Sequence, residues 1–291
     1  MLLIKIKILA IFVVLVMVLS GFAVVVAETG HAMNNLNTLN SPASTQNGKI
    51  GQYPDGNNAQ GGAYDPFNQE LYITNSFSNN VTVVNAFLNV SIANISVGSY
   101  PLGISYVPYN HDLYVNNQNS NNISIISSVT NTVLSNISLS GSPMFSTYDP
   151  QDETLYVSGS EFGTGIGIIW VINVANNSVV STPSLPLNSA PHGMAFDPYN
   201  GYMYVADYNN NDVLALSPTG AIAAYIPTGQ QPFGITLDTA NKMLYVSDND
   251  FNALISGYPK EYNVTIINSV TNTVVKNVAP GRKPEHWAHS V

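Results

Sequence analysis

Between residues 101 and 126 the chain carries, in order, Pro101-Leu102-Gly103, Leu113-Tyr114-Val115 and Asn122-Ile123-Ser124-Ile125-Ile126. An apolar–Tyr–β-branched triplet has the period-two character of a strand, and a β-branched run behind an Asn-rich turn reads as its hairpin partner. The triplet recurs as Leu71-Tyr72-Ile73, Leu155-Tyr156-Val157, Met203-Tyr204-Val205 and Leu244-Tyr245-Val246. Successive tyrosines lie 42, 42, 48 and 41 residues apart. The Pro-x-Gly landmark returns as Pro191-His192-Gly193 and Pro232-Phe233-Gly234, with Pro143-Met144-Phe145 and Ala59-Gln60-Gly61 as degenerate copies. Downstream runs such as Asn80-Val81-Thr82-Val83-Val84 and Thr273-Val274-Val275-Lys276-Asn277-Val278 supply further strands. Asp65-Pro66, Asp149-Pro150 and Asp197-Pro198 mark the turn after each first strand, because Asp bonds local backbone and Pro presets φ.

Each unit therefore offers four short strands, and no helical periodicity follows the N-terminal segment. A four-stranded unit of about 40 residues cannot bury both faces alone, whereas radial stacking buries them and protects the edges. The expected fold is all-β: a β-propeller of about five four-stranded blades over residues 59–291, preceded by an N-terminal hydrophobic helix. Arg282-Lys283-Pro284-Glu285-His286-Trp287-Ala288 aligns with the start of a sixth unit. Glu161 to Gly167 is an insertion in the third unit, and its glycines read as a hairpin loop.

The Leu-Tyr-Val-x-Asn/Asp pattern, with Pro-x-Gly before it and a Val-x-Val-Ile-Asn type run after it, resembles the YVTN-family β-propeller repeat. Tyr72-Ile73-Thr74-Asn75 is the fullest copy, and Tyr204-Val205-Ala206-Asp207 has drifted. The resemblance covers roughly residues 59–280. It implies a propeller of the kind common in archaeal surface-layer and other secreted proteins, commonly with seven blades. The motif's residues are structural, so it implies no reaction.

Composition narrows the function. Only 9% of the 291 residues are charged, with eight Lys and Arg and a net charge of −9, so no basic stripe exists to neutralise nucleic-acid phosphates. Cysteine is absent, which removes disulfide scaffolds, thiolate zinc sites and thiol nucleophiles. Polarity comes instead from 37 Asn and 17 Tyr, with Ser and Thr. Few titrating groups also make such a surface less sensitive to pH.

Lys5 and Lys7 precede an apolar run from Ile8 to Ala27. This is the pattern of a secretory signal, with Val25-Val26-Ala27 offering a cleavage site, and its length of about 20 residues also suits an uncleaved anchor. Residues 1–27 are thus a signal peptide or N-terminal membrane anchor, and 28–58 an Asn/Ser/Thr-rich linker. Either outcome places the remainder outside the cytoplasm, secreted or at the cell surface. Membrane contact is expected only through an uncleaved helix.

The candidate sites lie on chemistry that turns also use. Seven Asn-x-Ser/Thr sequons, at Asn80, Asn89, Asn94, Asn122, Asn136, Asn176 and Asn263, are glycan acceptors in an exported chain and arise equally from composition. Repeat-equivalent residues Asn75, Asn117, Gly159, Asp207 and Asp248, joined by His192, should converge where first strands start and second strands end. Asp and His there would form a ligand-binding face or hold a divalent metal such as Ca; in the structural alternative they satisfy turn backbone. Asp248 and Asp250 are weak metal candidates, lacking the terminal Glu of a full calcium loop. His286 and His289 read as structural. No nucleophile elbow, phosphate loop or His-Glu-x-x-His occurs, and no catalytic residue is assigned.

The leading expectation is an exported envelope module, surface-layer-like, that binds proteins or glycans without catalysis or cofactor. The alternatives are a metal-dependent propeller hydrolase, lactonase or lyase with its site on the axis, and an extracytoplasmic sensor or redox-accessory docking propeller. Fold does not choose among them.

Overall fold

The computed structural model describes residues 56–249 and 263–278. The N-terminal segment, the linker up to residue 55, Asp250 and the sixth-unit motif at 282–288 lie outside the described residues. Among the described residues twenty strands form five four-stranded antiparallel sheets. Blade 1 comprises β1 (Ala59–Asp65), β2 (Glu70–Asn75), β3 (Asn80–Asn85) and β4 (Val90–Ser96), and blade 2 comprises β5 (Pro101–Val107), β6 (Asp112–Asn117), β7 (Asn122–Ser127) and β8 (Thr132–Ser138). Blade 3 is β9 (Gly141–Asp149), β10 (Thr154–Glu161), β11 (Gly167–Asn173) and β12 (Ser178–Ser181). Blade 4 is β13 (Pro191–Asp197), β14 (Tyr202–Asp207), β15 (Asp212–Leu216) and β16 (Ile222–Pro227). Blade 5 is β17 (Pro232–Asp238), β18 (Met243–Asp248), β19 (Asn263–Asn268) and β20 (Thr273–Val278). Within every blade the strands pair in sequence order.

The turns follow from residue type. The Asp65, Asp149, Asp197 and Asp238 carboxylates accept from the backbone N–H two residues on, at 2.8–2.9 Å. Later turns place Asn in the left-handed region, as at Asn79, Asn89, Asn121, Asn131, Asn211 and Asn272. Asn tolerates that region because its short side chain bonds locally.

The Pro-x-Gly landmark is a bulge. Pairing of β5 with β6 skips from Pro101 to Ile104, and β13 with β14 skips from Pro191 to Met194. The bulge turns the x-residue carbonyl of one blade toward the glycine of the blade before it. A Cβ on Gly103 would stand 2.6 Å from Met144 O, and one on Gly193 would stand 2.6 Å from Phe233 O. Glycine here admits the neighbouring blade's backbone.

Blades stack by one repeated rule. On each second strand the Tyr points toward the next blade, and the flanking apolar residues point toward the previous one. Four buried clusters result: Tyr72 with Leu113 and Val115, Tyr114 with Leu155 and Val157, Tyr156 with Met203 and Val205, and Tyr204 with Leu244 and Val246. The Tyr hydroxyls clasp the outer hairpin of the next blade. Tyr72 lies 2.7 Å from Asn131 Oδ1, Tyr114 lies 2.7 Å from Asn177 Oδ1, and Tyr204 lies 2.7 Å from Asn272 Oδ1 and 2.9 Å from Ser269 O. Burial pushes the Tyr114 and Tyr204 hydroxyls up to about 12. Blade 4 carries Gly220 where the others carry the acceptor Asn, so the Tyr156 hydroxyl has no hydrogen-bond partner among the described residues and borders a cavity with Pro218, Thr219 and Gly220.

Losing a buried hydrogen bond that leaves its partner unsatisfied costs about 1–3 kcal/mol. Tyr114→Phe and Tyr204→Phe are therefore each expected to destabilise the protein by about that amount, and Tyr156→Phe by under about 0.5 kcal/mol. Denaturant midpoints of the three variants check this; equal costs at all three sites would refute the clasp.

Candidate functional site

The repeat-equivalent residues sit at the ends of β2, β6, β10, β14 and β18, opposite the starts of the first strands: Ala59 pairs with Asn75, Pro101 with Asn117, Pro143 with Gly159, Pro191 with Asp207 and Pro232 with Asp248. All four side chains there are buried. Asn75 Nδ2 donates to Asn80 Oδ1 and to Thr82 Oγ1, each at 2.9 Å. Asn117 repeats the arrangement with Asn122 Oδ1 and Ser124 Oγ, also at 2.9 Å. A Cβ on Gly159 would collide with Ser142 O on β9 and stand 2.8 Å from the Trp170 ring, so this glycine admits the paired strand's backbone and then a core aromatic.

The two aspartates are held differently. Asp207 Oδ1 accepts from Ala190 N–H at 2.8 Å, and its Oδ2 accepts from Asn210 Nδ2 at 2.9 Å. Across the β14–β15 pair it faces Asp212, at the position where blades 1 and 2 oppose Asn to Asn. Burial, and then the Asp207 charge, push the Asp212 carboxyl up to about 6, and Asp212 Oδ1 is buried without a partner. Asp248 Oδ2 accepts from the Thr265 hydroxyl at 2.6 Å while Oδ1 is buried without a partner; burial pushes this carboxyl up to about 6 as well.

His192 occupies the x position of Pro-x-Gly in blade 4. Its Nδ1 lies 2.9 Å from Ala190 O, so it carries the proton there. Burial holds its pKa below the usual range for histidine. The imidazole stacks on Tyr208 at 4.9 Å and meets Phe233 at 4.8 Å and Phe145 at 6.3 Å. Phe145 and Phe233 meet edge to face at 5.5 Å. Blades 3, 4 and 5 thus assemble a half-buried aromatic cluster, which an alignment of strand alternation does not reveal. Its only sequence trace is the residue inside Pro-x-Gly, where His192 and Phe233 are equivalent and Phe145 takes a missing glycine's place. Tyr208, next after Asp207, belongs to no motif.

His192 and Asp207 share Ala190 as a partner and so come together. Asp248, in the next blade, is tied to β19 instead. Among the described residues no three His, Asp or Glu side chains gather as a metal would require. The buried, unpartnered Asp248 Oδ1 is one oxygen donor of the six to eight that Ca takes. Asp250 lies outside the described residues.

The sequons divide into two groups. Asn89, Asn94, Asn136 and Asn176 are exposed, whereas Asn80, Asn122 and Asn263 are half-buried. Asn94 and Asn136 use only Oδ1, accepting from Thr82 and Ser124, so the amide nitrogen, where a glycan would attach, has no hydrogen bond among the described residues. Asn80 and Asn122 instead accept from the buried Asn75 and Asn117 amides.

No protein-family profile matches the chain, and no curated protein matches it in sequence. Among solved structures it is similar to Kuenenia stuttgartiensis hydrazine synthase, with 20% identity and a TM-score of 0.50 over 72% of this chain and 83% of that one. At that identity the likeness speaks for the fold alone. The chain has a β-propeller fold.

Asp212 and Asp248 bind protons more tightly folded than unfolded, so their contribution falls as pH rises from about 4, the unfolded value, and levels off above about 6. His192, with a lowered value, acts in the opposite sense. Asp212→Asn and Asp248→Asn should therefore raise the melting temperature at pH 7 and change it little at pH 4. Thermal scans across that range test this; equal shifts at both pH values would refute it.

Proposed function

We propose that the chain is an exported, cell-surface β-propeller of the YVTN type that binds envelope proteins or glycans without catalysis. The observation that carries this reading is the half-buried Phe145–His192–Tyr208–Phe233 cluster, set beside Asn and Asp side chains already engaged in hydrogen bonds within their own blades. Aromatic rings with few rotatable bonds give contact area at low entropic cost and stack on sugar or peptide groups. The hydrophobic N-terminal run and the exposed sequons support a place outside the cytoplasm.

The test is binding of purified protein to the organism's own envelope fraction. Tyr208→Ala with Phe233→Ala is expected to weaken binding by about tenfold or more, as loss of central aromatic anchors does. Asp207→Asn with Asp248→Asn should leave it unchanged. Loss of binding in the Asp variant, or dependence on an added divalent metal, would instead favour a metal-dependent hydrolase or lyase. Mass spectrometry of the same fraction should find an abundant species glycosylated at Asn94 or Asn136.

A further inference from the structure

Every residue of blades 3 and 4 is described, and between them the repeat departs from its own rule at one hydroxyl. Elsewhere the clasping Tyr is served from two sides. The Asn four residues before it donates to its hydroxyl, as Asn110 does to Tyr114 at 3.1 Å and Asn200 to Tyr204 at 2.9 Å. The hairpin Asn of the next blade accepts from it, and at Tyr72 the same amide, that of Asn131, also donates through Nδ2 to Glu70 Oε2 at 3.2 Å. Around Tyr156 both amides are replaced: Asp152 stands four residues before it, and Gly220 stands in the next hairpin. An ionised Asp only accepts. Ser217 O, equivalent to the Ser269 O that Tyr204 reaches, takes Gly220 N–H at 2.8 Å instead.

A cavity of about 220 Å³ lies at this place, bordered by Asp152, Thr154, Tyr156, Val180, Pro183 and Pro218. A water takes roughly 30 Å³ and drug-sized sites begin near roughly 300 Å³, so this volume suits one small molecule. Tyr156 is only 5% exposed, and its hydroxyl has no hydrogen bond among the described residues. The Thr154 hydroxyl is also buried without a partner, at the position where Glu70 accepts from the Asn131 amide. Burial, and then the Asp149 and Asp152 charges, push the Tyr156 pKa up, so the group stays a proton donor. One wall thus offers a donor and two acceptors, and Val180, Pro183 and Pro218 make an apolar one.

We propose that this cavity binds the acetamido group of an N-acetylated amino sugar. The carbonyl would accept from Tyr156, the N–H would donate to Asp152 or Thr154, and the methyl would pack on Val180, Pro183 and Pro218. That is the contact the Asn131 amide makes with Tyr72 and Glu70, supplied by a ligand. The apolar wall favours an acetamide over the primary carboxamide of a peptide's Asn or Gln, which has no methyl to place there. The sugar ring would lie at the mouth, where Ser181 and Thr219 are exposed and can meet its hydroxyls. The site shares no residue with the Phe145–His192–Tyr208–Phe233 cluster; it goes beyond the reading above and does not rest on it.

Titration of the full chain, held in mild detergent, with N-acetylglucosamine and ligand-observed NMR tests the proposal. Binding should saturate with a dissociation constant on the order of a millimolar, as a ligand of this size allows, and glucose should not compete. Tyr156→Phe should weaken binding about two- to tenfold, as loss of one net hydrogen bond does. Gly220→Asn should fill the cavity with the repeat's own amide, abolish binding and raise the melting temperature. Its Cβ would stand 3.5 Å from Pro183 Cγ, and Asn already holds positive φ at Asn131. Tyr208→Ala with Phe233→Ala should leave sugar binding unchanged. No saturation by about 50 mM would overturn the proposal. Glucose binding equally well, or full binding to folded Gly220→Asn, would do the same. Preference for free glutamine over the sugar would overturn it in favour of a peptide.

Discussion

A four-stranded antiparallel sheet of this length has two faces to cover, and among the described residues no helix covers either. The rest of the structure depends on how the second strand of each blade resolves that. Alternation sends Tyr to one side and Leu and Val to the other, so each sheet becomes a donor of an aromatic ring to one neighbour and a receiver of the same ring from the other. The interaction is directional as well as apolar. The ring fills the space between blades, and its hydroxyl reaches the Asn in the next outer hairpin, so register between blades is specified by a buried hydrogen bond as well as by area. Where blade 4 replaces that Asn by Gly220, the ring stays buried and the bond is lost, which separates the two contributions within one molecule.

The same economy explains the composition. Nine of the fifteen non-glycine residues with positive φ are Asn, among the described residues. Many of the remaining asparagines bond across strands, as Asn75 and Asn117 do. An amide supplies both donor and acceptor without a charge to desolvate, so a chain built on tight hairpins and buried polar ties can do without Lys, Arg and Glu. Blade 4 shows what happens when Asp replaces Asn on both strands: two carboxylates face one another, and burial, joined by the Asp207 charge, makes Asp212 bind its proton more tightly.

For function, this means that residue type at the axis is a poor guide by itself. Asn75, Asn117 and Asp207 point to ligand chemistry when read along the chain, yet each is engaged with its own blade's strands and turns. The aromatic cluster formed by Phe145, His192, Tyr208 and Phe233 is drawn from three blades, and its members are separated by up to 88 residues.

The triplet period, the Asp-Pro turns and the Pro-x-Gly bulge are local, and local rules of alternation and backbone preference carry them. That is why the four strands per unit, the count of about five units and the all-β class were legible in the sequence by itself. Tertiary structure decided what depends on which residues meet across blades. It decided that the Tyr hydroxyls clasp the next hairpin, that His192 is held between Tyr208 and Phe233, and that Asp248 turns to Thr265. Stacking brings together residues one or more repeats apart, and no spacing within a single repeat records which of them will touch.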